Sequence, residues 1–550
     1  MMRKPTLALI GLFVLIYLVP LNARPLAVPD ETRYGEIPRE MIASGDWVVP
    51  RICGIRYFEK PVLGYWANAV SILLFGENPF GVRFPSAAAA GLSALVVFFL
   101  VRRFGGGSSR EAPLAAAAQL TFAETFAVGT FSVLDGLLAL WLTAAMVCFF
   151  MVHNAETRAR KNGFLLLFGA FLGLAFLTKG FLAFVLPVVA ILPFMIWERR
   201  WRELFRIVWL PMLAAVLVAL PWALAIARRE PDFWPYFFWV EHVQRFLSST
   251  GGQHPQPFWF FVPVIVLGAI PWSFLFPSAA IGLRTTGGGH SLYRFAICWL
   301  VFPFIFFSAS EGKLATYILP CFAPLAVLLA AGLDRYLDAG RRRAFDFGAL
   351  TLAAVTALAA VALFANQVYG VGGVKPYGSS EAWKWVLVTA GLFFCTASLV
   401  WAVVQTPPGR KMALFVAAPV LLMLVGPWSI PDRITTIKAP GDLLRSHAEM
   451  VGPNTIFVVD ASVIRAVCWF YRTESVYLIG GLNEFAYGLS YDDARPRHLS
   501  TGQLVRLIDE NRGADRLILI CKADEYRRLR PHLPEPTFEE IGGGFAFIRY

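Results

Sequence analysis

Long runs of apolar residues, separated by short polar segments, occupy the first 430 residues of the chain. The first run, TLALIGLFVLIYLVPL, has no small-residue cleavage site and further apolar runs follow it, so it predicts a retained helix rather than a cleaved signal peptide. A helix needs about 20 residues to cross the hydrocarbon of a bilayer. The pattern predicts a polytopic α-helical membrane protein with about thirteen transmembrane helices, near residues 6–21, 84–101, 113–130, 134–152, 164–179, 181–197, 207–227, 258–280, 293–309, 314–332, 347–365, 385–404 and 412–429.

The pattern changes after about residue 430. Short β-type runs, NTIFVVD, SVYLIG, RLILICK and GFAFIRY, are separated by the helical patterns TGQLVRLIDENR and ADEYRRLRPHL. No glycine-rich phosphate loop and no nucleophile constellation accompanies them. The sequence therefore predicts a transmembrane domain over residues 1–430 and a small accessory α/β domain over residues 431–550.

The predicted spans place most lysine and arginine clusters in loops on one side of the membrane. These clusters are VRRFGGGSSR, ETRARKNG, ERRWRELFR, DRYLDAGRRR and PPGRK. Because such an excess marks cytoplasmic loops, the amino terminus is predicted to be cytoplasmic and the loops near 22–83 and 228–257 periplasmic. An odd number of spans then places the carboxyl-terminal domain in the periplasm. Much of the net charge of +12 is thus explained by topology, and no nucleic-acid-binding motif accompanies it.

Two adjacent acids, Asp30 and Glu31, follow the first predicted span. The segment ETRYGEIPREMIASGDW places Tyr34, Ile37 and Met41 at helical spacing with charged residues on the other faces, which predicts an interfacial helix on the periplasmic side. Asp30 then has two interpretations. As the N-cap of this helix it would contribute about 1 kcal/mol of stability, and as one of many charges on this side it would belong to a functional site.

Ionisable residues from several other loops fall at predicted outer helix ends. An isolated cation at such a place usually extends toward the headgroups, but several at one depth indicate a pocket for an anion such as a lipid phosphate. Aromatic segments such as REPDFWPYFFWVEHVQRF fit either a headgroup belt or a groove for an isoprenoid tail. The pattern favours transfer of a group from a phosphate-linked lipid. A transporter is the alternative, but it would be expected to carry ionisable groups near the bilayer midplane, whereas these charges lie at one face.

The acid pair, followed by REMIASGDWVVP and KPVLGYW, resembles the C-type polyprenyl-phosphate-dependent glycosyltransferases, which include the protein O-mannosyltransferases. The segments RYFEKPVLGYW, TKGFLA, REPDFWPYFFWVEHVQRF, GKLATYIL, SIPDR and YGLSYDDA narrow the resemblance to the bacterial lipid A aminoarabinose transferases. The resemblance implies an inner-membrane enzyme that moves 4-amino-4-deoxy-L-arabinose from undecaprenyl phosphate to lipid A phosphates, giving resistance to polymyxin. The alternative is a related prenyl-phosphate-sugar transferase that glycosylates a protein or another lipid.

The resemblance also implies two groups of site residues. Carried onto this chain, the catalytic acids are Asp30 and Asp135, and the contacts to the donor phosphate are Lys60, Arg245 and Tyr317. The residue pattern adds Glu31, the neighbour of Asp30, as a candidate catalytic acid, and Lys313 and Lys179, at predicted outer helix ends, as candidate contacts to the phosphate. No cofactor is expected to be required. The expected partners are the undecaprenyl-phosphate donor, the lipid A acceptor and the bilayer, with a monomer as the working form.

Few residues in the sequence are candidates for metal binding or for disulfide formation. Glu59 and His242 offer a carboxylate and an imidazole, so they are candidate ligands for a divalent metal such as zinc. Cys53, Cys468 and Cys521 lie in segments predicted to be periplasmic, where disulfides form, but the sequence alone cannot pair them.

Overall fold

The computed structural model describes residues 3–244, 255–285, 289–370, 373–513 and 516–550, with only the backbone described for Arg3, His242, Val243 and Asn483. Many of these residues form long apolar helices, which confirms the polytopic α-helical fold. Ten helices in the described ranges are long and apolar enough to cross a membrane: Lys4–Asn22, Pro79–Phe104, Leu134–His153, Arg158–Lys179, Trp209–Arg229, Ser291–Ala309, Ala315–Asp338, Arg343–Tyr369, Ser379–Val404 and Pro408–Trp428.

The three other predicted spans take different forms. The predicted span 113–130 is two helices, Glu111–Thr121 and Ala123–Gly129, because Phe122 between them is extended. The predicted span 181–197 is the helix Leu182–Trp197, which is shorter than the others. The predicted span 258–280 is a helical pair, Phe258–Gly268 and Trp272–Arg284, bent by 92°. The total of thirteen spans therefore stays a prediction.

The described chain divides into two compact units. Unit one contains the residues up to Leu21 together with Phe84–Ala227 and Trp234–Ser429, and unit two contains Asn22–Arg83, Arg228–Phe233 and Ile430–Tyr550. The loop 22–83 is therefore grouped with the carboxyl-terminal residues. The acid pair and Lys60 lie in unit two, and Asp135, Lys179 and Tyr317 lie in unit one.

Unit two contains a small hairpin and a mixed sheet. The hairpin strands are β1 (Arg51–Ile52) and β2 (Ile55–Arg56), and the sheet strands are β3 (Ile456–Asp460), β4 (Val476–Ile479), β5 (His498–Leu499), β6 (Leu517–Lys522), β7 (Phe538–Gly542) and β8 (Phe545–Arg549). The sheet order is β5-β4-β3-β6-β8-β7. Strands β5, β4, β3 and β6 pair in parallel and β8 and β7 pair antiparallel, so the predicted small α/β region is present.

Among its described residues, unit two also contains seven α-helices, of which Ile464–Tyr471, Thr501–Glu510 and Ala523–Leu529 pack against strands of the mixed sheet. Strand β6 is buried at five successive positions, as expected for a parallel strand covered on both faces. The helices are Asp30–Ser44, Leu63–Phe75, Asp432–Lys438, Gly441–Ser446, Ile464–Tyr471, Thr501–Glu510 and Ala523–Leu529. The last two correspond to the helical patterns predicted between the β-type runs.

The predicted helix after the first span is present as Asp30–Ser44, but four of its charged residues, Glu31, Glu36, Arg39 and Glu40, are buried inside unit two. Arg39 donates two hydrogen bonds to Glu36, from Nε to Oε2 at 2.8 Å and from Nη2 to Oε1 at 2.7 Å. Glu40 accepts hydrogen bonds from the backbone amides of Cys53 and Gly54 in the β1–β2 turn. This helix is therefore packed through its polar residues as well as its apolar ones.

Candidate active site

The acid pair opens the helix Asp30–Ser44 in unit two. Pro29 occupies the N-cap position and no side chain caps the helix, so the interpretation of Asp30 as the N-cap is wrong. Asp30 lies in the first helical turn, where a negative charge interacts favourably with the helix dipole. Its Oδ1 accepts a hydrogen bond from Arg33 Nη1 at 3.1 Å, and its side chain is 44% exposed. One acid of the pair is thus accessible.

The second acid, Glu31, is fully buried between two arginines. Its Oε1 accepts hydrogen bonds from Arg83 Nε at 2.6 Å and Arg24 Nη2 at 3.1 Å. Its Oε2 accepts from Arg24 Nη1 at 2.5 Å, Arg83 Nη2 at 2.8 Å and the Ala27 amide at 2.9 Å. Burial alone would raise the pKa of Glu31, but the charges and hydrogen bonds of Arg83 and Arg24 outweigh it and lower the pKa from 4.5 to about 2. The geometry favours a role in holding the helix start.

Glu31→Gln is expected to destabilise the protein by about 3–5 kcal/mol, because it leaves the buried Arg83 guanidinium without its countercharge. Since the pKa of Glu31 is lowered on folding, its stabilisation is present above its ordinary pKa of 4.5 and is lost as the pH falls toward about 2. Thermal unfolding of the purified protein at several pH values measures both effects. An unchanged unfolding temperature at pH 7 would contradict this interpretation of Glu31.

A chain of polar contacts runs from Asp30 through unit two. Arg33, which binds Asp30, also donates from Nη2 to Glu484 Oε2 at 2.6 Å. The Tyr57 hydroxyl lies 3.2 Å from the same Glu484 oxygen and 3.0 Å from Glu59 Oε2. Burial raises the pKa of Tyr57, so this hydroxyl keeps its proton. These contacts connect the accessible acid to the loop that carries Glu59 and Lys60.

Lys60 comes directly after Glu59, the last residue in this series of contacts. Its Nζ donates a hydrogen bond to the Glu59 backbone carbonyl at 2.8 Å. Lys60 as a whole is partly buried. The polar contacts of Tyr57 and Glu59 therefore position the segment that presents the Lys60 ammonium.

Sequence reasoning missed several partners of the acid pair. Arg33 and Tyr57 stand inside the quoted motifs ETRYGEI and RYFEKP, but no spacing in the sequence indicates that they meet. Glu484 and Arg465, which form a buried ion pair, come from the carboxyl-terminal residues. Arg33 Nε and Arg465 Nε are buried donors with no acceptor among the described residues. Arg33 and Arg465 thus extend the polar contacts of Asp30 through Glu484 into the interior of unit two.

Three other predicted site residues meet in unit one. Lys179 Nζ donates to Asp135 Oδ1 at 2.6 Å and lies 4.8 Å from the centre of the Tyr317 ring. Asp135 is in the first turn of Leu134–His153 and Lys179 is the last residue of Arg158–Lys179, so each charge is at the helix end whose dipole favours it. Both side chains are only 13% exposed. The structure therefore brings these predicted residues together as one pair under an aromatic ring.

The structure gives less support to the other predicted site residues, which are Lys313, Arg245, Glu59 and His242. The Lys313 ammonium donates to the backbone carbonyls of Gln256, at 2.8 Å, and Ser310, so two of its protons are already used. Arg245 lies outside the described residues, and so does the side chain of His242. No group of three or more metal-binding side chains occurs in the described part of the chain. The contribution of Arg245 and the metal site of Glu59 and His242 stay predictions.

The chain is similar to known proteins along nearly all of its length. Residues 4–237 match the family model described as dolichyl-phosphate-mannose-protein mannosyltransferase, and residues 435–549 match the C-terminal domain of arabinosyl transferase ArnT. The undecaprenyl phosphate-alpha-4-amino-4-deoxy-L-arabinose arabinosyl transferase of Shewanella sediminis is 40% identical over 98% of this chain and 96% of its own. The corresponding transferase 1 of Sodalis glossinidius is 41% identical over 98% and 96%.

One solved structure shows the same fold. ArnT from Cupriavidus metallidurans, bound to undecaprenyl phosphate, superposes with a TM-score of 0.83 at 22% sequence identity, covering 100% of this chain and 98% of that one. At this identity the similarity shows the fold alone. The full-length relatives are what show the family.

Proposed function

Since the chain belongs to the family of undecaprenyl phosphate-α-4-amino-4-deoxy-L-arabinose arabinosyl transferases, we propose that it transfers 4-amino-4-deoxy-L-arabinose from undecaprenyl phosphate to phosphate groups of lipid A. The observation that carries this proposal is the 40% identity over 98% of the chain to a relative of that name. Adding a cationic sugar lowers the negative charge that attracts polymyxin and other cationic peptides. The protein would thereby give resistance to them.

The reaction is proposed to take place on the periplasmic face of the inner membrane. Both substrates are lipids, so their reacting groups meet at a membrane surface. The lysine and arginine clusters lie in loops on the opposite side of the predicted spans, which supports a cytoplasmic amino terminus and a periplasmic carboxyl-terminal domain. A monomer provides all the residues used below.

In the proposed reaction, an oxygen of the lipid A phosphate attacks the anomeric carbon of the donor sugar. A new carbon–oxygen bond forms there with inversion, and the bond to the undecaprenyl phosphate oxygen breaks. Negative charge grows on the departing phosphate, where preorganised cations are most effective. Lys60, Arg245 and Tyr317 are assigned to this phosphate, and the position of Lys60 next to the Tyr57–Glu59 contact supports its part.

Asp30 is assigned an orienting role in this scheme. The acceptor phosphate is already anionic near neutral pH, so no base is needed to remove a proton from it. A carboxylate that is 44% exposed is able to bind the ammonium of the aminosugar or a group that bridges to the acceptor. Its neighbour Glu31, whose oxygens are used by Arg24 and Arg83, is assigned a positioning role.

Asp30→Asn is expected to raise KM while kcat at saturating substrate stays within about tenfold of the original, because orientation is weakened but no proton-transfer step is lost. Initial rates with purified protein over a range of both lipids separate the two parameters. Asp524→Asn is the matched control, since Asp524 is an exposed acid in the first turn of another helix of unit two. Complete loss of turnover at every substrate concentration and pH would show instead that the carboxylate charge is essential.

Transfer is proposed to proceed without a metal, because Lys60 and Arg245 supply the positive charge that a metal would add. Glu59, one of the two candidate ligands, already accepts a hydrogen bond from Tyr57. Extensive chelation is therefore expected to leave the transfer rate unchanged. A rate that falls on chelation and returns with zinc would overturn this part of the scheme.

The function is tested in a Gram-negative strain that makes the aminoarabinose donor but lacks its own transferase. Mass spectrometry of its lipid A is expected to show a gain of one aminopentose when this chain is expressed. An unchanged lipid A, with the protein inserted and the donor present, would overturn the proposed acceptor. A labelled protein or a different labelled lipid in that strain would favour the related transferase instead.

A further inference from the structure

Two buried cysteines of unit two lie on different segments of the chain. Cys53 and Gly54 form the two-residue turn between β1 and β2, and both have positive φ, as a type I′ hairpin requires. The Glu40 carboxylate fixes this turn by accepting its two backbone amides. Cys468 lies in the helix Ile464–Tyr471, and both cysteines are 0% exposed. Each thiol is therefore held in a defined place.

The two thiols face each other. Cys53 Sγ lies 3.8 Å from the carbonyl oxygen of Ile464, which is one helical turn before Cys468. Cys468 lies on the same helix as Ile464, and the Cys53 and Cys468 thiols are close enough to interact electrostatically. The contact belongs to a close helix packing, since a Cβ on Gly35 would lie 3.1 Å from the Trp469 ring. Adjacent buried thiols in a tight interface are the arrangement from which a disulfide forms.

We propose that Cys53 and Cys468 are joined by a disulfide bond in the mature protein, a proposal that rests on the periplasmic location given above. All seven cysteines are free thiols in the structure, so the bond would be added by oxidation. The two S–H bonds break, one S–S bond forms, and the two protons leave. The two electrons reduce the disulfide of a periplasmic thiol–disulfide oxidoreductase to two thiols, which balances the reaction.

Burial of the two thiols determines the stage of folding at which they can be oxidised. It raises the pKa of both thiols, and the thiolate is the species that attacks a disulfide. The bond is therefore formed during folding, before the helix Ile464–Tyr471 covers the turn, and is afterwards protected from mild reductants. Its effect is local to the site, because β2 leads within a few residues to Glu59 and Lys60. The bond would tie the segment that presents these residues to the carboxyl-terminal part of unit two.

The test counts free thiols in protein taken from membranes, quenched in acid, denatured and alkylated without reduction. The proposal predicts two fewer alkylated thiols than in the reduced sample, and a linked peptide pair containing Cys53 and Cys468 that is lighter by two hydrogen atoms than the separate reduced peptides. Cys53→Ser and Cys468→Ser are each expected to show one more free thiol than the original chain. Cys521→Ser, which changes a buried cysteine on β6, is the matched control and is expected to show one fewer.

Two further measurements separate the possible failures. A reporter enzyme that is active only in the periplasm, fused to the carboxyl terminus, reads the location. If the reporter is active and all seven thiols are alkylated, the disulfide is overturned and the periplasmic location stands. If the reporter is inactive, both the location and the disulfide are overturned. A linked peptide pair in a strain whose lipid A is unchanged would support the disulfide and overturn the proposed acceptor alone.

Discussion

Lys60→Ala is expected to lower kcat for sugar transfer about 10²–10³-fold, because it removes a preorganised cation from the oxygen where charge develops. The contacts of its neighbours explain why a flexible side chain has a defined place here. Tyr57 and Glu59 hold the segment by a hydrogen bond of 3.0 Å, and the Lys60 ammonium donates to the Glu59 carbonyl at 2.8 Å. Rates at saturating donor lipid measure the effect on kcat.

Two variants control this measurement. Lys60→Arg keeps the charge but replaces a compact ammonium by a planar group, so it is expected to retain more transfer than the alanine variant. Lys438→Ala removes an exposed lysine of unit two and is expected to leave the rate unchanged. Equal rates for the original chain and Lys60→Ala would contradict the assignment of Lys60 to the departing phosphate.

The second large effect concerns Asp135 and Lys179. Asp135→Asn is expected to cost about 3–5 kcal/mol of stability and to lower transfer, because it leaves a poorly solvated ammonium without its carboxylate. The two side chains are 2.6 Å apart and each is 13% exposed, so water offers little compensation. Asp442→Asn breaks an exposed pair whose side chains are both 71% exposed, and should cost only about 0–1 kcal/mol. Thermal unfolding compares the two variants.

A double variant separates stability from function at this pair. Asp135→Asn with Lys179→Met removes both charges, so the protein is expected to regain much of the stability lost in the single variant. Transfer is expected to remain at least about tenfold reduced, since the cation beside Tyr317 is gone. A stable double variant with the original transfer rate would show that the pair only supports the fold.

The membrane fold was largely predictable because its signal is local. Ten of the predicted spans coincide with long apolar helices, whose residues need no distant partner to satisfy their backbone groups. Two of the other three depend on detail that hydropathy does not contain. The extended backbone at Phe122 breaks one of them, and Pro271, which has no amide proton, lies at the 92° bend of another.

The site was predictable only in its residue types. The motifs selected Asp30, Lys60, Asp135 and Lys179 as candidates, but they did not indicate the contacts that support the role proposed for each one. Glu31 was indistinguishable from Asp30 in the sequence, and its burial by Arg24 and Arg83 depends on residues brought together by folding.

The buried charges of the helix Asp30–Ser44 have the same cause. Periodicity places Glu36, Arg39 and Glu40 away from the apolar face, where water is the default partner. In the folded chain Arg39 pairs with Glu36, and the turn at Cys53 supplies the donors for Glu40. Such long-range partners leave no trace in a local pattern, so the sequence could not show that these charges are buried.

The most direct test of the proposed function is transfer by the purified protein alone. The protein is reconstituted in vesicles with undecaprenyl phosphate aminoarabinose and lipid A, and both lipids are followed by mass spectrometry. The proposal predicts lipid A heavier by one aminopentose, appearing together with an equal amount of free undecaprenyl phosphate, and almost none of either product with Lys60→Ala. Consumption of the donor without modified lipid A, or no consumption by correctly folded protein, would contradict it.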